Sequence, residues 1–182
     1  IYTFLEGWVL GAAIMILLTT IALYLVNFNL RGMGFTVTTE LKIHVSIIAA
    51  IIMFIIAGGH WLDRWELLLS DQGAIFGAAY TDLNARKPAL LILSIIAVAS
   101  GVLMLVNAYL SGVRLLVGAI ALWVVMAIAL GVAWPALMQQ FTVNPNEFVR
   151  ESQYITRNID FTRRGFALNR IEEQFYQAES EI

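Results

Sequence analysis

Four stretches of the chain carry no formally charged residue: Trp8–Asn27, Ile43–Gly59, Pro88–Leu110 and Leu115–Met138, of 20, 17, 23 and 24 residues. A hydrocarbon core about 30 Å thick is crossed by roughly 20 residues of helix, so each run can span it, the second only just. Inside a bilayer every backbone N–H and C=O needs an internal partner, and a helix supplies one within a single segment. The expected fold class is all-α: a polytopic helical membrane protein with four transmembrane helices, an interfacial helix and a C-terminal extramembrane helical tail. Composition agrees, with 60% hydrophobic and 13% charged residues, against about 25% charged in soluble domains. A net charge of −2 offers no polyanion-binding surface, so nucleic acid is not an expected partner. The absence of cysteine excludes disulfides, thiolate metal sites and cysteine nucleophiles.

The expected transmembrane domain covers residues 1–141, with the extramembrane tail over 142–182. Gly7 and Gly11 in the first run, and Ala97 and Gly101 in the third, have the small-xxx-small spacing that admits a second helix closely. Between the second and third runs, Trp61, Leu62, Trp65, Leu68 and Leu69 share one helical face, with Asp63, Arg64 and Glu66 opposite. This pattern predicts an amphipathic helix lying in the headgroup region, its tryptophans at the depth of an aromatic belt. Gly73–Tyr80 is apolar but too short to cross, and reads as a re-entrant or surface-lying segment. The short link Ser111–Arg114 makes the third and fourth spans an antiparallel hairpin. Pro135 removes a hydrogen bond to the carbonyl of Gly131 and predicts a kink. Asn144-Pro145-Asn146-Glu147 reads as a capped helix start, with Gly165 as its stop. Phe148, Ile155 and Ile159 fall on one face of that helix, and Asn169 with Glu172 suggests a second capping box.

The sites of possible chemistry are few. His44 and His60 lie 16 residues apart on one helix, about 24 Å at 1.5 Å per residue, so they cannot share one metal or haem. His44 alone is a candidate ligand for haem or chlorophyll, since neutral imidazole serves that role, whereas no cofactor is required by the pattern. Asp63, Arg64, Glu66, Asp82 and Arg86 are candidates for an ion-paired structural cluster at the membrane surface. The span centres carry Thr19, Thr20, Ser94, Ser100 and Asn107 and no ionisable group, which disfavours ion-coupled transport through these four helices alone. The expected role is therefore a non-catalytic membrane scaffold or anchor, not an enzyme. The alternatives are a haem- or chlorophyll-carrying subunit, or part of a transporter completed by further spans.

Three stretches together carry a resemblance: His60–Leu90, Trp134–Glu173 and the Lys42–Ser46 opening of the second span. Leu62-Asp63-Arg64-Trp65-Glu66-Leu67-Leu68 matches one family element. Tyr80-Thr81-Asp82, Ala85-Arg86 and Pro88-Ala89-Leu90 match a second, and Pro145 through Arg163 a third. The chain resembles Uncharacterised Protein Family 0182, large bacterial membrane proteins with several N-terminal spans and a long extracytoplasmic region. His60 stands where the family usually has an aromatic residue, and Gln153 where it usually has proline. The resemblance implies a bacterial plasma-membrane location, an internal portion of a longer protein, and an extracytoplasmic tail meeting a further domain or membrane partner. It implies no activity. The basic residues Arg31, Lys42 and Arg114, concentrated in the two short connections, place those connections on the cytoplasmic side and the tail opposite.

Overall fold

The computed structural model describes residues 2–30, 39–71, 73, 76–110 and 114–171. Among them it is entirely helical, with no strand. Four helices are long and apolar enough to cross a membrane: Glu6–Leu25, Thr39–Leu69, Asp82–Tyr109 and Arg114–Gly165. They contain α1 (Tyr2–Leu30), α2 (Thr39–Glu66), α3 (Lys87–Tyr109), α4 (Arg114–Met126), α5 (Trp134–Met138) and α6 (Glu147–Gly165).

The core is the α2–α3 seam. Ser46, Ala50, Met53 and Ala57 recur on one face of α2 and are buried, facing Ala97, Met104 and their neighbours on α3. Small side chains dominate, and this lets the two backbones come close enough for dispersion to act where lipid offers no hydrophobic gain. Gly101 is needed for this packing: a β-carbon there would sit 3.0 Å from the Phe54 ring. The same seam satisfies its polar groups. Asn107 donates to Ser46 Oγ at 3.1 Å, Ser94 donates to the Ala57 carbonyl at 2.8 Å, and Ser100 to the Ala119 carbonyl of α4 at 3.3 Å. Lys42 at the start of α2 donates to the carbonyl of Leu110, just past the end of α3, where helix carbonyls lack partners. The helix starting at Glu6 stays peripheral, and Gly7 and Gly11 face open space, so the close approach their spacing permits is not made within this chain.

Three expectations need correction. The stretch Trp61–Leu69 is not a separate interfacial helix: α2 continues through Gly58-Gly59 to Glu66 and ends in a 3₁₀ turn at Leu67–Leu69. No proline or capping residue follows the glycine pair, and the inward face marked by Met53 and Ala57 stays in phase with His60 and Arg64. Secondly, the helix does not restart at Asn144. Arg114–Gly165 is one helical rod of 52 residues, about 78 Å long at 1.5 Å per residue. Asn144 has helical dihedrals and its side chain accepts a hydrogen bond from Gln139, so it caps nothing; α6 proper begins at Glu147 after a 3₁₀ turn. Thirdly, Pro135 follows a π-helical segment, Ala127–Ala133, in which the Trp134 N–H reaches back to the Ala129 carbonyl. The widened turn accommodates the proline ring and the missing donor, so the rod continues past it. Gly165 ends α6 as expected. The Asn169–Glu172 box, the connections 31–38 and 111–113, and part of Gly73–Tyr80 lie outside the described residues.

Candidate functional site

Two further π-helical segments, Asp82–Arg86 and Gln139–Val143, flank the place where the polypeptide leading into α3 meets the rod. Wide turns of this kind recur at functional sites because they displace side chains from the regular helical lattice. Here they bring a set of polar groups into one buried junction.

Asp82 is 2% exposed. One carboxylate oxygen accepts the Ala79 N–H at 3.3 Å and the other accepts from the Arg86 guanidinium at 3.0 Å. The preceding Thr81 hydroxyl donates to the Gln139 side-chain oxygen, and Asn84 donates back to the Tyr80 carbonyl at 2.8 Å. Glu151 of α6 is also 2% exposed, and both its oxygens accept the Tyr80 N–H, at 3.2 and 3.3 Å. Burial raises the Glu151 carboxyl above its usual range, with Glu147 and Asp82 adding repulsion, while the Tyr80 N–H pulls the other way. Around this bond the Arg150 guanidinium lies 5.3 Å over the Tyr80 ring, Tyr154 meets that ring edge-on at 6.4 Å, and Asn158 donates to the Phe76 carbonyl at 3.1 Å. One face of α6 is thereby fastened to residues 76–80.

Asp82 and Arg86 are therefore brought together, whereas the other members of the expected ionic cluster are dispersed. Asp63 lies 3.7 Å from His60 Nδ1, an ion pair only when the imidazole is protonated. Arg64 stacks over Trp61 at 4.8 Å, and its Nε is buried without a hydrogen bond. Glu66 points into a cavity shared with Arg86 and bonds to neither arginine. His44 shares a 2.7 Å hydrogen bond with the Tyr24 hydroxyl, and His60 stacks on Trp123 at 6.1 Å. Among the described residues no three His, Asp or Glu side chains are placed to hold a metal ion.

Glu151, Tyr80, Thr81 and Gln139 are the residues that sequence reasoning missed. A signal existed in part: Glu151, Tyr154 and Asn158 are spaced i, i+3, i+7, one stripe along α6, and all three face the loop. Nothing in the sequence pairs that stripe with Tyr80, some 70 residues earlier.

Four long apolar helices on a single seam, closed at one end by a polar junction that fastens an amphipathic helix, define a helical bundle with a docked appendage. The profile of the Uncharacterised protein family (UPF0182) matches residues 1–182, and the chain belongs to that family. It is 36% identical over 154 residues to a UPF0182 protein of Thermobifida fusca, covering 85% of this chain and 15% of that one. A relative from Frankia alni is 34% identical across 98% of this chain and 18% of its own length; one from Desulforamulus reducens is 36% identical across 93% and 19%. The chain thus spans less than a fifth of the length of these relatives. No solved structure matches it.

Proposed function

We propose that this chain is a non-catalytic membrane scaffold: a four-span anchor in a bacterial plasma membrane that holds α6 at a fixed position on the extracytoplasmic face. The observation that carries the reading is the buried bond from the Tyr80 N–H to both oxygens of Glu151, since a loosely tethered tail has no use for a desolvated carboxylate. The apolar part of the final rod ends near Phe141, ten residues before Glu151, so the junction lies at the membrane boundary and α6 beyond it. Phe148 and Ile159 of α6 remain exposed and are available to a further domain or a membrane partner. The orientation rests on the basic residues Arg31, Lys42 and Arg114 in the two short connections.

The test is purification in mild detergent, with an absorption spectrum and identification of co-purifying proteins. The scaffold reading expects a colourless preparation that reproducibly retains a membrane partner. A stoichiometric Soret or chlorophyll band that disappears in His44→Leu would establish a cofactor subunit instead. Substrate flux conferred on liposomes by the protein alone would establish a transporter.

A further inference from the structure

Two cavities, of about 340 and 350 Å³, adjoin along a wall that contains Arg86 and Gly131. The first opens between the end of α2 and the start of α3. Its polar side carries Asp63, Glu66 and Asp71, and its apolar side Leu67, Leu90 and Leu130. The second lies deeper against the rod and is walled by Thr81, Asp82, Pro135 and Gln139. Of the three outer carboxylates, Asp63 has His60 nearby, while Glu66 and Asp71 make no hydrogen bond or ion pair with another described residue. Two of the π-helical segments, Asp82–Arg86 and Ala127–Ala133, form walls of both cavities, so the cleft is a product of the same widened turns that build the junction.

We propose that this cleft binds the head of a zwitterionic phospholipid bearing a primary ammonium group. The inference rests on the membrane reading above, which places the junction at the bilayer boundary. The outer lobe carries three carboxylates and no cation other than Arg86, whose charge Asp82 already offsets at 3.0 Å. A free anion is therefore repelled, and an ammonium is attracted and can donate three hydrogen bonds to partnerless carboxylates. Arg86, next along the wall, provides the positive charge that a phosphodiester one short linker away requires. The leucine side of the same lobe gives the first methylenes of an acyl chain an apolar surface, which a soluble amine could not exploit. Polar and apolar walls on opposite sides of one interfacial cleft match the two ends of an amphiphile and no simpler ligand.

The experiment is native mass spectrometry of the purified chain in lipid nanodiscs, titrated with phosphatidylethanolamine, phosphatidylcholine and phosphatidylglycerol. Phosphatidylethanolamine should be retained at one per chain and at least about tenfold more tightly than phosphatidylglycerol. The Glu66→Gln/Asp71→Asn variant should abolish that preference; both side chains are exposed and partnerless, so an unchanged melting curve is expected and excludes misfolding. Deacylated glycerophosphoethanolamine should fail to compete, because it lacks the chain that uses the leucine wall. Equal retention of phosphatidylglycerol, or a preference unmoved by the double variant, overturns the proposal. Full competition by the deacylated head would overturn its lipid part and leave a soluble amine as ligand. If the chain proves to carry a cofactor or to transport a substrate, the scaffold reading fails while lipid retention can still be measured, so the two failures are separable.

Discussion

Replacing Glu151 with alanine should release α6 from the bundle, and the size of the effect can be worked from its surroundings. The substitution leaves the Tyr80 N–H without its acceptor in a site where the carboxylate is 2% exposed. A hydrogen bond to a charged group contributes about 1.5–3 kcal/mol net. The raised Glu151 carboxyl shows that burial of its charge is incompletely compensated, so part of that gain is already offset and the lower half of the range applies. About 1–2 kcal/mol corresponds to a roughly 5–30-fold increase in the undocked population of α6. Hydrogen exchange read by mass spectrometry should show that increase in peptides covering Tyr80 and in residues 147–165, with the α2–α3 seam unchanged. Glu151→Gln keeps an acceptor oxygen and should stay within about threefold of wild type, since it also removes the uncompensated charge. The raised carboxyl gives a sign to the pH dependence. The docked state holds the proton more tightly than the undocked one, so docking strengthens as pH falls from the raised value towards the ordinary carboxylate range and weakens as pH rises through it. The glutamine variant should lose that dependence. Exchange at Tyr80 and along α6 that is the same in Glu151→Ala as in wild type would refute the docking of α6 through this bond.

Gly101→Val should push α2 from α3, because even the first added carbon meets the Phe54 ring at 3.0 Å; overpacking of this kind costs about 1–3 kcal/mol, readable in a detergent-denaturation midpoint. Asn107→Leu removes the bond to Ser46 within the same seam, yet interhelical hydrogen bonds in membranes average only about 0.6 kcal/mol, so the midpoint should move much less than for Gly101→Val. Arg86→Ala leaves the buried Asp82 carboxylate without its cation and should lower stability by about 3 kcal/mol or more, with Asp82→Asn in the same chain restoring part of it.

The helical class and the four apolar helices were legible because a long uncharged run has few other physical outcomes for its backbone. Ala97 and Gly101 were legible for a related reason: small residues at helical spacing are what a close seam requires, and both are buried at α2–α3. Gly7 and Gly11 have the same spacing and meet nothing in the chain, which shows that the pattern permits an approach and does not specify one. The junction was legible by halves. Asp82 and Arg86 are four residues apart, a local geometry that sequence encodes directly. Glu151 reaches Tyr80 only through the course of the rod, and that course depends on π-helical turns that no residue pattern announces. Pro135 and the Asn144-Pro145 pair look like breaks in sequence; in the fold, widened and tightened turns absorb them and the helix carries on.

The absence of native cysteine allows the central claim, that α6 is docked on the membrane face where the Phe76 loop emerges, to be tested by one cross-link. Asn158 donates to the Phe76 carbonyl at 3.1 Å, so cysteines placed at 76 and 158 stand close together. In intact membranes under mild oxidation, the Phe76→Cys/Asn158→Cys chain should form an intramolecular disulfide rapidly and nearly completely. Each single cysteine should react with an impermeant maleimide from the same side. Failure to cross-link, with the two positions labelling from opposite sides of the membrane, would contradict the docked position of α6.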